Sequence, residues 1–187
     1  MVCVAVLAIF FVPYLIVNHM SFERIYGVFI FQEEKIPFVP WTFVIYFSLF
    51  IQLLIVLRSM PPWLFKNAVS LAFLLVIIHL ITFITVPIKY PREAYPEDNQ
   101  IVGLFRDLDT PNNCLPSLHV SLTLYLSFLY SFTKRPKLFL IAMWLWSSAI
   151  IVSVFTTKQH YILDVLCSIV TTGTAIILSP RILRPRY

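Results

Sequence analysis

The chain has 187 residues, 59% of them hydrophobic and 12% charged, with a formal net charge of +5. A soluble domain carries about 25% charged residues, so the composition excludes one and points to a single integral-membrane domain, residues 1–187. Three glycines and thirteen prolines, without alternating segments, argue against a β-barrel, and no basic patch interleaved with aromatics exists, which excludes a nucleic-acid partner.

Apolar runs fall at residues 2–18, 41–57, 67–88, 118–132, 138–156 and 160–179. About twenty apolar residues cross a bilayer core, so the third and sixth are comfortable spans. The first is short and contains Pro13. It lacks a basic n-region and a small-residue cleavage site, so it reads as a retained helix rather than a signal peptide. The patch Ile25–Phe31 is too short to span and reads as an interfacial helix, with a re-entrant segment as the alternative. The fourth run is also short, and its Ser and Thr residues point it at a bundle interior. No internal repeat is present. The expected fold is an all-α bundle of six transmembrane helices.

Six spans place both termini on one side. That side carries Arg58, Lys66, Lys134, Arg135, Lys137, Arg181, Arg184 and Arg186 and no acid. The other side mixes Arg24, Lys35, Lys89, Arg92, Arg106 and Lys158 with Glu23, Glu33, Glu34, Glu93, Glu97, Asp98, Asp107 and Asp109. By the positive-inside rule the termini are cytoplasmic. The 89–117 loop and the 157–160 turn then face outward, toward the periplasm in a bacterial inner membrane.

Both of those segments carry a histidine at the membrane boundary. The stretch Cys114-Leu115-Pro116-Ser117-Leu118-His119 precedes the fourth run, and His160-Tyr161-Ile162-Leu163-Asp164 opens the sixth. Positions i and i+4 share a helix face, so Asp164 can back His160. Two histidines, one paired with an acid, suit phosphoryl transfer. His160 is the expected nucleophile, with Asp164 holding its other nitrogen as the donor. His119 is the expected general acid, later activating water. A phosphate also needs converging cations and N–H groups. Lys89 and Arg92 lie in the preceding loop. Pro116 is expected as the first helical residue, so that Ser117, Leu118 and His119 present N–H groups at a helix start.

These residues resemble those of the type 2 phosphatidic acid phosphatase (PAP2) superfamily of membrane phosphatases. Its motifs are a Lys and an Arg-Pro in one loop, Pro-Ser-Gly-His, and Ser-Arg followed by His and Asp. Pro116, Ser117 and His119 match the second motif; Ser153, His160 and Asp164 match the third. Leu118 stands in place of the motif glycine and Val154 in place of the arginine. Lys158 and Arg106 are the candidates to replace that arginine. The resemblance implies a six-helix fold and a metal-independent lipid phosphatase acting at the outer face through a phosphohistidine. The short form is similar to bacterial lipid A 1-phosphatases and phosphatidylglycerophosphate phosphatases. Pro-Ser-x-His with Thr-Lys-x-His-Tyr also resembles the sphingolipid-synthase branch, which implies headgroup phosphotransfer as the alternative.

The remaining ionisable residues read as structural. His79, mid-span, is expected to be a satisfied packing histidine. Cys114 reads as an unreactive loop thiol, and the cluster Glu93, Glu97, Asp98, Asp107 and Asp109 as a solvated loop. No Cys/His spacing suits a metal, so neither a metal nor another cofactor is expected. A proton-relay transporter is disfavoured because the ionisable groups gather at one surface rather than at the midplane. The expected partners are a lipid phosphate substrate and the bilayer; the oligomeric state is open.

Overall fold

The computed structural model describes residues 11–23, 25–27, 33–92, 102–104, 106, 109 and 113–179. The described residues form helices and isolated β-bridges, with no strand. Residues 11–18 are helical (α1); the rest of the first apolar run lies outside the described residues. The later helices are α2, Pro40–Ser59, α3, Pro62–Thr85, α4, Leu118–Tyr130, α5, Lys137–Thr156, and α6, Ile162–Leu178. Of these, α2, α3 and α5 are long and apolar enough to cross a membrane, while α4 and α6 are shorter apolar helices. Outward-facing side chains such as Val44, Leu138 and Ile177 are large, apolar and exposed, as a lipid-facing surface requires.

Helix ends depart from the apolar runs where local chemistry overrides hydropathy. The third run gains a turn at its start, because Pro62 fits the first helical position, where the missing N–H costs nothing. The helix then takes in polar Lys66 and Asn67. α2 opens with a 3-10 turn and breaks at Ser48, whose hydroxyl donates to Ile45 O at 2.6 Å; such back-bonding bends helices. The patch expected as an interfacial helix is bridged where it is described. Tyr26 N–H donates to Pro87 O and Tyr26 O accepts from Lys89 N–H, so residues 25–27 run beside the post-α3 segment. The remainder of the patch lies outside the described residues.

α4 sits at the centre, packed against α2, α3, α5 and α6. It therefore buries polar as well as apolar residues: Ser121, Thr123 and Ser127 are inaccessible along with Val120, Tyr125 and Leu129. Their partners are on the neighbouring helices. Thr123 donates to Gln52 Oε1 at 2.7 Å. Gln52 Nε2 donates to Ser147 Oγ at 2.8 Å, and Ser127 and Ser147 hydroxyls meet at 2.6 Å. The bundle-facing role expected for the Ser and Thr of this run holds, because in a dry interior these groups must find one another. His79 is satisfied as expected. Its Nδ1 lies 2.7 Å from Leu75 O, which makes it a donor, and Nε2 then accepts from Ser121 Oγ at 2.9 Å.

The starts of α4 and α6 meet at one end of the bundle. Ser117 N–H donates to Asp164 O at 3.4 Å, and Ser168 Oγ donates to Ser117 O at 3.0 Å. Val39 N–H to Thr156 O brings the start of α2 to the end of α5 at that same end. Parallel bridges from Tyr26 to Ile88 and from Ile88 to Asn113 tie the connecting segments over it.

Candidate active site

α4 begins two residues later than Pro116. Ser117 is the N-cap, in an extended conformation, and its Oγ accepts from Val120 N–H at 3.4 Å. The reason is local: a serine hydroxyl satisfies an orphan helix N–H, which a proline cannot do. Pro116 precedes the cap, joined to Leu115 by a cis peptide. Leu118 and His119 are then the first two helical residues, whose N–H groups have no partner within the helix.

His160 likewise lies outside α6, which begins at Ile162. It does not share a helix face with Asp164. The two meet because Asp164, at the third helical position, folds back over the first turn. Its Oδ2 accepts Tyr161 N–H at 2.8 Å and stands 3.4 Å from His160 Nδ1. This is the acid side of a capping box. His160 Nδ1 is also 3.0 Å from Cys114 O. A carbonyl oxygen carries no hydrogen, so Nδ1 is the donor and the neutral ring leaves its lone pair on Nε2. Asp164 is fully buried, and its Oδ1 has no hydrogen-bond partner.

The turn between α5 and α6 explains how His160 is placed. Gln159 N–H donates to Val154 O and Lys158 N–H to Phe155 O, the paired bonds of a Schellman cap. Lys158 occupies its left-handed position at φ 56°, where glycine is usual. A lysine is held there by its other end. Buried Nζ donates to Glu33 O at 2.8 Å, and Glu33 Oε1 accepts Ile162 N–H at 3.0 Å. Glu33 therefore caps α6 beside Asp164, where a carboxylate complements the helix dipole. Val154, at the position of the motif arginine, is fully buried in a cluster with Phe43, Tyr46 and Val120.

His119 touches different groups. Its ring stacks on Tyr46, and its Nδ1 is 2.9 Å from the Tyr46 hydroxyl. Its buried Nε2 has no hydrogen-bond partner. Tyr46 in turn donates to Asp109 Oδ2 at 3.0 Å. The solvated-loop expectation fails for Asp109. It is half-buried, and its Oδ1 accepts from Tyr14 at 2.5 Å and from Asn18 at 3.3 Å. Burial opposes its ionisation, but Arg92, His119 and the Tyr14 hydroxyl outweigh that and hold its carboxyl below the usual value. Glu93, Glu97, Asp98 and Asp107 lie outside the described residues.

The expected phosphate ligands divide. Arg92 is buried and donates through Nη1 to Asp109 O, while its Nε has no hydrogen-bond partner. Lys89 joins the site through its carbonyl, which accepts from Tyr161 Oη at 3.0 Å. Lys158 Nζ is directed at Glu33 O. Arg106 lies over the Phe38 ring, 5.2 Å from its centroid. Ser117 is fully buried between α4 and α6, and Leu118 lines an apolar cavity with His119.

Sequence spacing hid a cluster. Ligand atoms of Cys114, His160 and Asp164 stand within 4.8 Å of one another, although 46 residues separate the first two. Within this cluster His160 Nδ1 is engaged by Cys114 O and Asp164. Burial, reinforced by Asp164, pushes the Cys114 thiol well above its ordinary value. That fits the unreactive thiol expected. Tyr46, Asp109 and Glu33 were not legible as site residues. Tyr46 is 63 residues from Asp109 and 73 from His119, so no local pattern links them.

Comparison with curated proteins finds no match to this chain. A family model described as PAP2 superfamily matches residues 19–178. That match spans both histidine motifs and the helices that carry them, and the chain belongs to the PAP2 superfamily, whose members are phosphatases.

Proposed function

We propose that the chain is a membrane lipid phosphatase that hydrolyses a phosphate monoester, or a pyrophosphate, of a lipid headgroup through a phosphohistidine on His160. Lipid A 1-phosphate and phosphatidylglycerophosphate are the candidate substrates. The observation that carries this is the fixed tautomer of His160, with Nδ1–H committed to Cys114 O and Asp164. Nε2 attacks phosphorus as the bond from phosphorus to the lipid oxygen breaks, and His119 gives that oxygen a proton. His119 then takes a proton from water. The water oxygen attacks the phosphohistidine, releasing phosphate and restoring His160. Asp164 offsets the positive charge that develops on the His160 ring. Lys89 and Arg92, with the Leu118 N–H, meet the phosphate without a metal, whereas Lys158 Nζ is committed to Glu33 O, Arg106 to the Phe38 ring and the Ser117 hydroxyl to Val120 N–H.

An apolar cavity supports a lipid as the substrate. It runs from His119 and Phe50 past Leu122 and Ala72 to Leu129. Ten residues of α4 separate its ends, about 15 Å of helix rise. One hydrocarbon chain fits such a slot with its headgroup at His119. Charge asymmetry supports cytoplasmic termini and a site on the opposite face, which is the periplasmic face if the membrane is the proposed bacterial inner membrane.

A second reading, phosphotransfer of the sphingolipid-synthase type, is favoured by Leu118. In place of the motif glycine it sets an apolar wall beside His119, which suits a lipid hydroxyl as acceptor better than water. Phosphate release from lipid A, phosphatidylglycerophosphate, phosphatidic acid and undecaprenyl pyrophosphate, with and without lipid acceptors, tests both. Free phosphate as the sole product, lost in His160→Ala and unaffected by chelator, is expected. Turnover retained in His160→Ala, or chelator inhibition reversed by a divalent ion, sinks the mechanism.

A further inference from the structure

Tyr46 is inaccessible to solvent and is engaged on two sides. Its ring lies on that of His119, with centroids 3.8 Å apart and planes 19° from parallel. Its oxygen stands 2.9 Å from His119 Nδ1 and 3.0 Å from Asp109 Oδ2. That oxygen carries one hydrogen. An ionised carboxylate only accepts, so the hydrogen points at Asp109. His119 Nδ1 then faces phenolic lone pairs, which favours hydrogen on Nδ1 and leaves Nε2 as the atom that gains and loses a proton. Because the rings are nearly parallel, the oxygen lies over the imidazole rather than in its plane. The contact thus acts through charge more than as a linear hydrogen bond.

Burial works against a charged His119 ring, and Asp109 works for it. Asp109 is fixed by Tyr14 and Asn18 of α1, by Tyr46 of α2, and by Arg92 at its own carbonyl. Around His119, Phe47 and Phe50 present T-shaped contacts at 6.4 and 6.5 Å. The Tyr46 face attracts a cation. The charges bearing on His119 are Asp109, Arg92 and His160, and Asp109 is the one of attracting sign.

We propose that Tyr46 and Asp109 are positioning residues for His119, the phenol orienting the imidazole and relaying the Asp109 charge to its protonated form. The proposal rests on the acid role given to His119 above. In the imidazolium that carries Nε2–H to the leaving oxygen, Asp109 offsets part of the cost of burying the charge. As the proton passes to the leaving oxygen the ring becomes neutral with hydrogen on Nδ1, and Asp109 stays ionised throughout.

The test uses the full chain, purified and reconstituted, with Asp109→Asn, Tyr46→Phe and Tyr46→Leu. In Asp109→Asn, kcat is expected to fall by about tenfold or more with little change in KM. The alkaline limb of its pH profile moves to lower pH, because a ring without the Asp109 charge releases its proton sooner. Adding Asp109→Asn to His119→Ala causes no further loss. Nitrogen-15 spectra of histidine-labelled protein, with His119 assigned by its absence in His119→Ala, are expected to show hydrogen on Nδ1 of the neutral ring in the parent. In Tyr46→Phe that preference is lost, and this readout does not depend on turnover. Failure of the phosphatase reading shows separately, as unimpaired turnover in His160→Ala. A pH profile of Asp109→Asn that superimposes on the parent, or an unchanged His119 tautomer in Tyr46→Phe, overturns the proposal. If Asp109→Asn does not fold, the Tyr46→Phe spectra decide.

Discussion

An imidazole attacks phosphorus only if its other nitrogen is held as a donor, and here two oxygens hold it. Cys114 O fixes the hydrogen on His160 Nδ1, and Asp164 adds the charge. Asp164→Asn separates those contributions. An asparagine oxygen can still accept from Tyr161 N–H, so the turn survives. The positive charge formed on the ring during transfer, however, goes unmatched. We expect kcat to fall by about 10²–10⁴-fold with KM little changed; steady-state kinetics on the purified protein check this, and an unchanged kcat contradicts it. At this scale His119, His160, Asp164 and Ser117 stood out as candidates because each belongs to a short motif. Asp109 was misread because only the fold delivers the tyrosines and Arg92 that make a half-buried carboxylate tolerable.

The elements carry these residues by their ends rather than by their faces. Ser117 caps α4, and Asp164 and Glu33 share the start of α6. Hydropathy marks where apolar runs lie, but caps decide where helices begin. Hence His160 falls outside the helix whose apolar run includes it, and Pro116 outside the helix it was expected to open. The α5–α6 turn depends on Lys158 in a conformation that costs an L-residue about 1–2 kcal/mol. Lys158→Met retains the stem and removes the donor to Glu33 O. A lost charged hydrogen bond of this kind costs about 1.5–3 kcal/mol, so the melting temperature in detergent should drop measurably. An unaltered melting curve means that the Glu33 contact does not hold the turn.

Across the molecule, a polar centre sits inside an apolar shell. α4 is central, and the hydroxyls of its run bond to Gln52 and Ser147 rather than to solvent. Composition made the membrane class legible, and the fourth run's Ser and Thr made its interior position legible. The sequence could not show that the same helix supplies both the start that carries His119 and one wall of the apolar cavity, since that wall draws on helices far apart in the chain. On the proposed mechanism, the phosphate of a lipid held there passes through His160. The most direct measurement is rapid quenching of the reconstituted protein with a lipid labelled in its terminal phosphate, followed by mapping of the protein-bound label. The account predicts a base-stable, acid-labile phosphate on His160, present in the parent and in His119→Ala and absent in His160→Ala. Label on any other residue, or turnover with no protein-bound phosphate at any time, contradicts it.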